Sequence, residues 1–303
     1  MIAILLTIVT AATPLLLAAI GELVVERSGV LNLGVEGMMV VGAVAAFAVA
    51  LSTGNPWLGV LAGAGAGAAL SLVFAALAVG LATNQVATGL ALTLFGIGVA
   101  GLVGEGFVGV PGVKLPPLSV PGLSDLPIIG PLIFAQDPLT LLSLALTAGV
   151  SVFLFRTRAG LRLRAVGDAP AAAQAIGLNV IGIRVAAVIF GGVCAGLAGA
   201  HLTLVYTSQW IEEITAGRGW IALALVVFAS WRPGRVILGA YLFGAVTIAQ
   251  FHAQALGVAV PSQLLSALPY LATILVLVLI AANRRATMVN TPAALGKPFV
   301  PDR

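Results

Sequence analysis

Charge is what this sequence has least of. Aspartate, glutamate, lysine and arginine make up only 8% of its 303 residues, whereas 60% are hydrophobic, against roughly one-quarter charged in soluble domains. Apolar runs extend from Ile2 to Ala282 without a polar stretch long enough for a soluble domain of ordinary size, which excludes one. The single cysteine, Cys194, excludes an internal disulfide and sits in an apolar run as a small packing residue. The only histidines, His201 and His252, lack metal-ligand spacing, and no His-Glu-x-x-His occurs. Both are assigned to packing or to helix-end hydrogen bonding. No Gly-x-x-x-x-Gly-Lys-Ser/Thr is present: Lys114 is followed by Leu115, and Lys297 by Pro298. The chain therefore cannot cradle ATP phosphates in a P-loop. With no paired nucleophile and base either, no catalytic residue, metal site or cofactor site is expected on this chain.

What is present is hydrophobic length. Lipid cannot satisfy exposed backbone polar groups, so a spanning chain is either a helical bundle or a closed barrel. Runs such as 139–155 and 265–282 lack the alternation of a barrel strand and exceed its roughly ten residues. The expected fold is all-α, a polytopic transmembrane helical bundle. The approximate spans are 2–21, 36–52, 57–82, 87–104, 139–155, 185–206, 218–231, 236–251 and 265–282. That is about nine, within eight to ten, some short enough for one to be re-entrant or half-spanning. The whole chain, 1–303, reads as one membrane domain. Residues 1–20 resemble a secretory signal but lack a basic start, and are read as a retained first helix. Glycines 59, 63 and 67, and Gly192 with Gly196, put small residues on one helix face, a pattern for close helix contact in lipid.

Eleven of the fourteen basic residues fall in the loop 156–184, at Arg232 and Arg235, and in the tail 283–303. On the span count above these three regions share a side, which the positive-inside rule makes cytoplasmic, with the C-terminus there and the N-terminus outside. This distribution also accounts for the net charge of +4 without a nucleic-acid partner. The Pro- and Gly-rich segment 105–138 and the segment 206–217, with Glu212 and Glu213, then face outward.

Several polar residues invite function. In the stretch Gly167-Asp168-Ala169-Pro170-Ala171-Ala172-Ala173-Gln174-Ala-Ile-Gly177, Asp168 can cap a helix, Pro170 suits its first turn and Gly177 can end it. The product is a short helix outside the membrane, either an interfacial helix or a protein-docking element. Glu36 either lines a path or caps the second span. Asn32, Asn84, Gln85 and Thr88 stand near breaks between spans, suited to ribose hydroxyls and base edges or to helix packing. Trp220 and Trp210 can stack on a base or anchor at the interface. Arg218 can pair with Glu212 or Glu213 as an external latch, or simply bound its helix. An ion-coupled transporter would place ionisable residues at mid-membrane, and only Glu36 approaches that description.

Four stretches carry a resemblance: Glu26-Arg-Ser-Gly-Val-Leu-Asn-Leu-Gly-Val-Glu-Gly-Met-Met39, Asn84-Gln-Val-Ala-Thr-Gly-Leu-Ala-Leu92, Gly167 to Gly177, and Thr215-Ala-Gly-Arg-Gly-Trp-Ile-Ala-Leu-Ala224. They resemble permeases of the branched-chain amino acid, ribose and nucleoside ATP-binding cassette importer family, over about residues 20–250. Their wording is most similar to nucleoside permeases that work with a basic-membrane-protein type lipoprotein. Thr93 departs from the Asn that relatives often carry after Ala-Leu. The resemblance implies an importer in a bacterial cytoplasmic (inner) membrane, with a second related permease, an external solute-binding lipoprotein and a cytoplasmic ATPase carrying two nucleotide-binding domains. ATP and Mg would then sit on that ATPase, and residues 167–177 would be the coupling helix. Ribose-like sugars and branched-chain amino acids are the alternative solutes.

Overall fold

The computed structural model describes residues 2–118, 136–256, 261–281 and 290–301. Among them the chain is helical, with no β-strand: α1 (Ile2–Arg27), α2 (Val35–Thr53), α3 (Pro56–Phe74), α4 (Gln85–Gly104), α5 (Pro138–Arg156), α6 (Arg158–Asp168), α7 (Pro170–Ala175), α8 (Val180–His201), α9 (Arg218–Phe228), α10 (Pro233–Ala255), α11 (Ser262–Ser266) and α12 (Leu268–Ala281). α3 and α8 each run on into a π-helical turn, Ala75–Gly80 and Leu202–Tyr206. The starts follow local chemistry. Asn55, Asn84, Asp137, Thr157 and Asn179 accept first-turn amides of α3, α4, α5, α6 and α8, and Pro56, Pro138 and Pro233 occupy first turns.

Each of the nine expected spans corresponds to a helix, but among the described residues seven rather than nine are long and apolar enough to cross a bilayer. α9 has 11 residues and α12 has 14. At 1.5 Å per residue α9 reaches about 16 Å, roughly half of a hydrocarbon core of about 30 Å. The first span also runs further than expected, to Arg27 instead of 21.

The core is a close seam of α2, α3 and α8, backed by α1. A Cβ on Gly63 would meet the Gly42 carbonyl at 3.0 Å, and one on Gly67 would run into the Gly192 carbonyl. The small-residue faces read from the sequence thus lie where three backbones touch.

Among the described residues Arg27, Arg164, Arg184, Arg232 and Lys297 gather at one end of the bundle. There Arg27 donates to the carbonyls of Asn290 and Trp231, both at 3.0 Å, and buried Arg184 donates to that of Ser28 at 3.1 Å. The described part of the tail lies across this end: Ala294 N–H bonds the Gly167 carbonyl at 3.0 Å and Gly296 N–H the Gly29 carbonyl at 3.2 Å. Most of the expected external loop, 119–135, and tail residues 283–289 with Arg303 lie outside the described residues.

Candidate functional site

The site begins with a broken crossing. Beyond α8, residues 207–217 do not stay at the far end of the bundle, as the outward-facing reading expects. Trp210 abuts Gly104 at the end of α4, whereas Gly217 reaches Glu36 at the start of α2. This places Gly217 deep in the bundle, and α9 completes the crossing to Trp231 at the basic end. Left-handed backbone at Glu213 (φ 55°), Ala216 (φ 44°) and Gly217 (φ 76°) makes the turns that aim the α9 N-terminus inward.

Glu36 receives that N-terminus. Its Oε1 accepts from Thr215 Oγ1 at 2.6 Å and Gly217 N–H at 2.8 Å, and its Oε2 from Gly219 N–H at 2.6 Å. A carboxylate there satisfies amides left unpaired by the first turn and meets the positive end of the helix dipole. Glu36 caps α9 rather than its own helix, and it borders a cavity.

That cavity, about 580 Å³, is bounded by Glu36, Ile97, Trp210, Glu212, Glu213, Trp220 and Tyr270 among others. Its volume suits a small organic ligand. Trp220 and Tyr270 are each nearly half exposed, while Trp210 is buried. The Tyr270 hydroxyl donates to the Ala216 carbonyl at 2.7 Å, bracing the turn before α9.

Of the remaining path candidates, Asn32 is spent on local structure. Its Oδ1 accepts Gly34 N–H at 3.0 Å, and its own N–H donates to Glu22 at 3.2 Å. Asn84, Gln85 and Thr88 sit at the basic end of α4, away from the cavity. Asn84 caps α4, Gln85 accepts Leu31 N–H at 2.8 Å, and Thr88 bonds Thr83 at 2.9 Å. Among the described residues Arg218 makes no ion pair with Glu212 or Glu213, so the expected latch is not formed. Its guanidinium instead donates to the Ile214 carbonyl at 2.9 Å and lies 5.5 Å over the Tyr206 ring.

The 167–177 stretch is two elements rather than one capped helix. α6, capped by Thr157, continues through Gly167 and Asp168, so Asp168 is a last helical residue and Ala169 is the cap of α7. Pro170 starts α7 as expected, and Gly177, at φ 83°, ends it. Ala171 and Ala172 are exposed and Gln174 is half-buried, while Ala173 packs with Val166 and Val180, against which Phe299 of the tail also rests.

Two buried acids went unread in the sequence. Glu22 and Glu26 lie one turn apart on α1, so Glu36 is not alone among acids within the bundle. Glu26 accepts the Trp231 indole N–H at 2.6 Å, joining α1 to the far end of the broken crossing. His201, assigned to packing or to helix-end hydrogen bonding, is the last residue of α8 and lies 3.6 Å from Asp137, the cap of α5. The signal for the acids was available: Glu22 and Glu26 sit at i and i+4 on either side of Leu23-Val24-Val25, a run too apolar to end a helix at 21. Among the described residues no cluster of three or more potential ligands could hold a metal ion.

A bundle of membrane-length helices with a cavity beside a helix N-terminus inside it is the architecture of a solute permease. The profile of the family described as branched-chain amino acid transport system / permease component matches residues 4–282, and the chain belongs to that family. It is 42% identical over 95% of its length to a putative glucose ABC transporter permease protein of Haloferax volcanii, covering 94% of that protein. It is 32% identical to the guanosine ABC transporter permease protein of Bacillus subtilis, over 95% of this chain and 93% of that one. A nucleoside ABC transporter permease protein of Lactococcus lactis subsp. cremoris is 35% identical, over 88% and 89% respectively.

Proposed function

We propose that the chain is one of two permease subunits of an ATP-driven importer whose solute is a nucleoside. The observation that carries this reading is the cavity at the α9 N-terminus. It offers what a neutral solute with a flat base and a hydroxylated sugar needs: the exposed faces of Trp220 and Tyr270, and the rim carboxylates Glu212 and Glu213 as acceptors. Glu36 already accepts three hydrogen bonds, so its role is to hold the floor of the site. The names of two relatives, for guanosine and for nucleosides, support the same solute class.

In this reading the basic end faces the cytoplasm, with the tail, and the cavity opens outward to a solute-delivering lipoprotein. ATP and magnesium belong to a separate ATPase, which grips the α6–α7 elbow. Small exposed side chains at Ala171 and Ala172, with Ile176 76% exposed, suit a partner groove. Closure of the ATPase would push this elbow and, through Val166, Ala173 and Phe299, rock the bundle. Replacing Ala172 with Trp and Asp168 with Lys abolishes uptake at normal expression; normal uptake with normal ATPase copurification rejects the coupling role.

A second reading, a hexose, is favoured by the identity to the Haloferax volcanii relative. Competition for labelled guanosine uptake in vesicles holding the whole importer separates the two. Unlabelled adenosine competes and glucose does not if the solute is a nucleoside; the reverse result assigns a sugar.

A further inference from the structure

On the side of the bundle away from the nucleoside cavity, α1, α5, α6 and α8 enclose an apolar groove of about 550 Å³, walled by Leu146, Val150, Phe153, Leu163 and Phe190. Along α5 it runs from Leu142 to Phe153, about 16 Å at helical rise, which is close to one leaflet of a core about 30 Å thick. At the basic end it meets a second hollow of about 560 Å³, with which it shares Ala159 and Ile183. That hollow is lined by Arg162, Asn179 and the left-handed turn at Gly177. Among the described residues no acidic side chain lines either hollow. Arg158 stands exposed one turn from Arg162 on α6.

We propose that this pair of hollows is a binding site for one anionic phospholipid, its acyl chain in the groove and its phosphate on Arg162. The charge pattern argues for a lipid over a protein helix. The apolar and cationic parts are segregated along the membrane normal, cation at the rim and hydrocarbon below, as in a lipid, while a partner helix would need no cation at one end only. α6 supplies both parts, turning Leu163 into the groove and Arg162 to the rim, so an occupied site would brace the elbow that leads into α7.

The experiment uses the purified full chain exchanged into bicelles containing equal phosphatidylglycerol and phosphatidylcholine, with retained lipid counted by native mass spectrometry. Phosphatidylglycerol is expected to be retained over phosphatidylcholine by about fivefold per arginine engaged, the factor corresponding to about 1 kcal/mol per basic residue at a membrane surface. Arg162→Glu is expected to abolish the preference. Gly149→Phe is expected to reduce retention of both lipids, since Gly149 lines the groove and a Cβ there meets nothing within 4 Å; its unfolding midpoint is measured alongside. Equal retention of the two lipids by the wild type, or unchanged retention in Gly149→Phe, overturns the proposal. So does Gly149→Cys cross-linking to a second permease in the assembled importer, which would assign the groove to a protein contact; Cys194, the chain's own cysteine, is buried and does not interfere.

Discussion

Replacing Glu36 tests how the broken crossing is held. The carboxylate is 3% exposed and accepts three hydrogen bonds from residues 179 to 183 positions away, one from the cap residue of α9, Gly217, and one from its first turn, Gly219. Hydrogen bonds to charged groups contribute about 1.5–3 kcal/mol each, and a buried donor left unpaired costs about 1–3 kcal/mol. Gly217 and Thr215 border the cavity, where water can replace the acceptor, but Gly219 is buried and off it. Glu36→Ala is therefore expected to destabilise by about 3–5 kcal/mol, a large part of a native stability of about 5–15 kcal/mol. Glu36→Gln is expected to lose less, about 1–3 kcal/mol, because one oxygen still accepts while the amide turns a donor toward the Gly219 N–H. Gly219→Ala attacks the same joint from the other side, since its Cβ would lie 2.6 Å from the Glu36 Cα. Thermal unfolding in detergent and nucleoside uptake in vesicles read these effects together. All three variants should lower both, in the order Ala at 36, Ala at 219, Gln at 36. Wild-type stability and uptake in Glu36→Ala would refute the claim that this carboxylate anchors α9.

Three other perturbations bear on separate parts of the account. Trp220→Ala should weaken apparent nucleoside affinity about five- to hundredfold, given about 1–3 kcal/mol per base stacked on an aromatic ring; an unchanged transport KM rules out stacking there. Gly67→Val should cost about 1–3 kcal/mol or more by forcing α3 off α8, whereas Gly65→Val, whose Cβ meets nothing within 4 Å, serves as the neutral control in the same unfolding assay. Trp231→Phe strips the indole N–H from buried Glu26 and should lower stability by about 1–3 kcal/mol; no shift in the unfolding midpoint argues that the bond contributes nothing net.

Hydropathy made the bundle legible because a bilayer punishes polar interruptions, and each apolar run became a helix. It could not distinguish a full crossing from a half. The run 219–229 is apolar throughout, yet its helix starts inside the bundle at Arg218 because Glu36, far away in sequence, is placed to receive the amides of Gly217 and Gly219. The same long-range pairing explains why Asn32 and Gln85 looked like solute ligands: a polar side chain near a span break has the same local signature whether it faces a cavity or ties down the loop 28–34. The acids of α1 were lost for the opposite reason, embedded in a run whose neighbours are apolar enough to hide them. Asp168 shows the limit of capping rules, since the preceding turns of α6 were favourable enough to carry the helix through a good cap residue.

The most direct measurement is uptake of labelled guanosine into proteoliposomes carrying this permease, its second permease and their ATPase, with the binding lipoprotein outside and ATP enclosed. Accumulation should require ATP and stop when ATP is replaced by a non-hydrolysable analogue. Accumulation by this chain alone, driven by a proton or sodium gradient without any ATPase, would contradict the account.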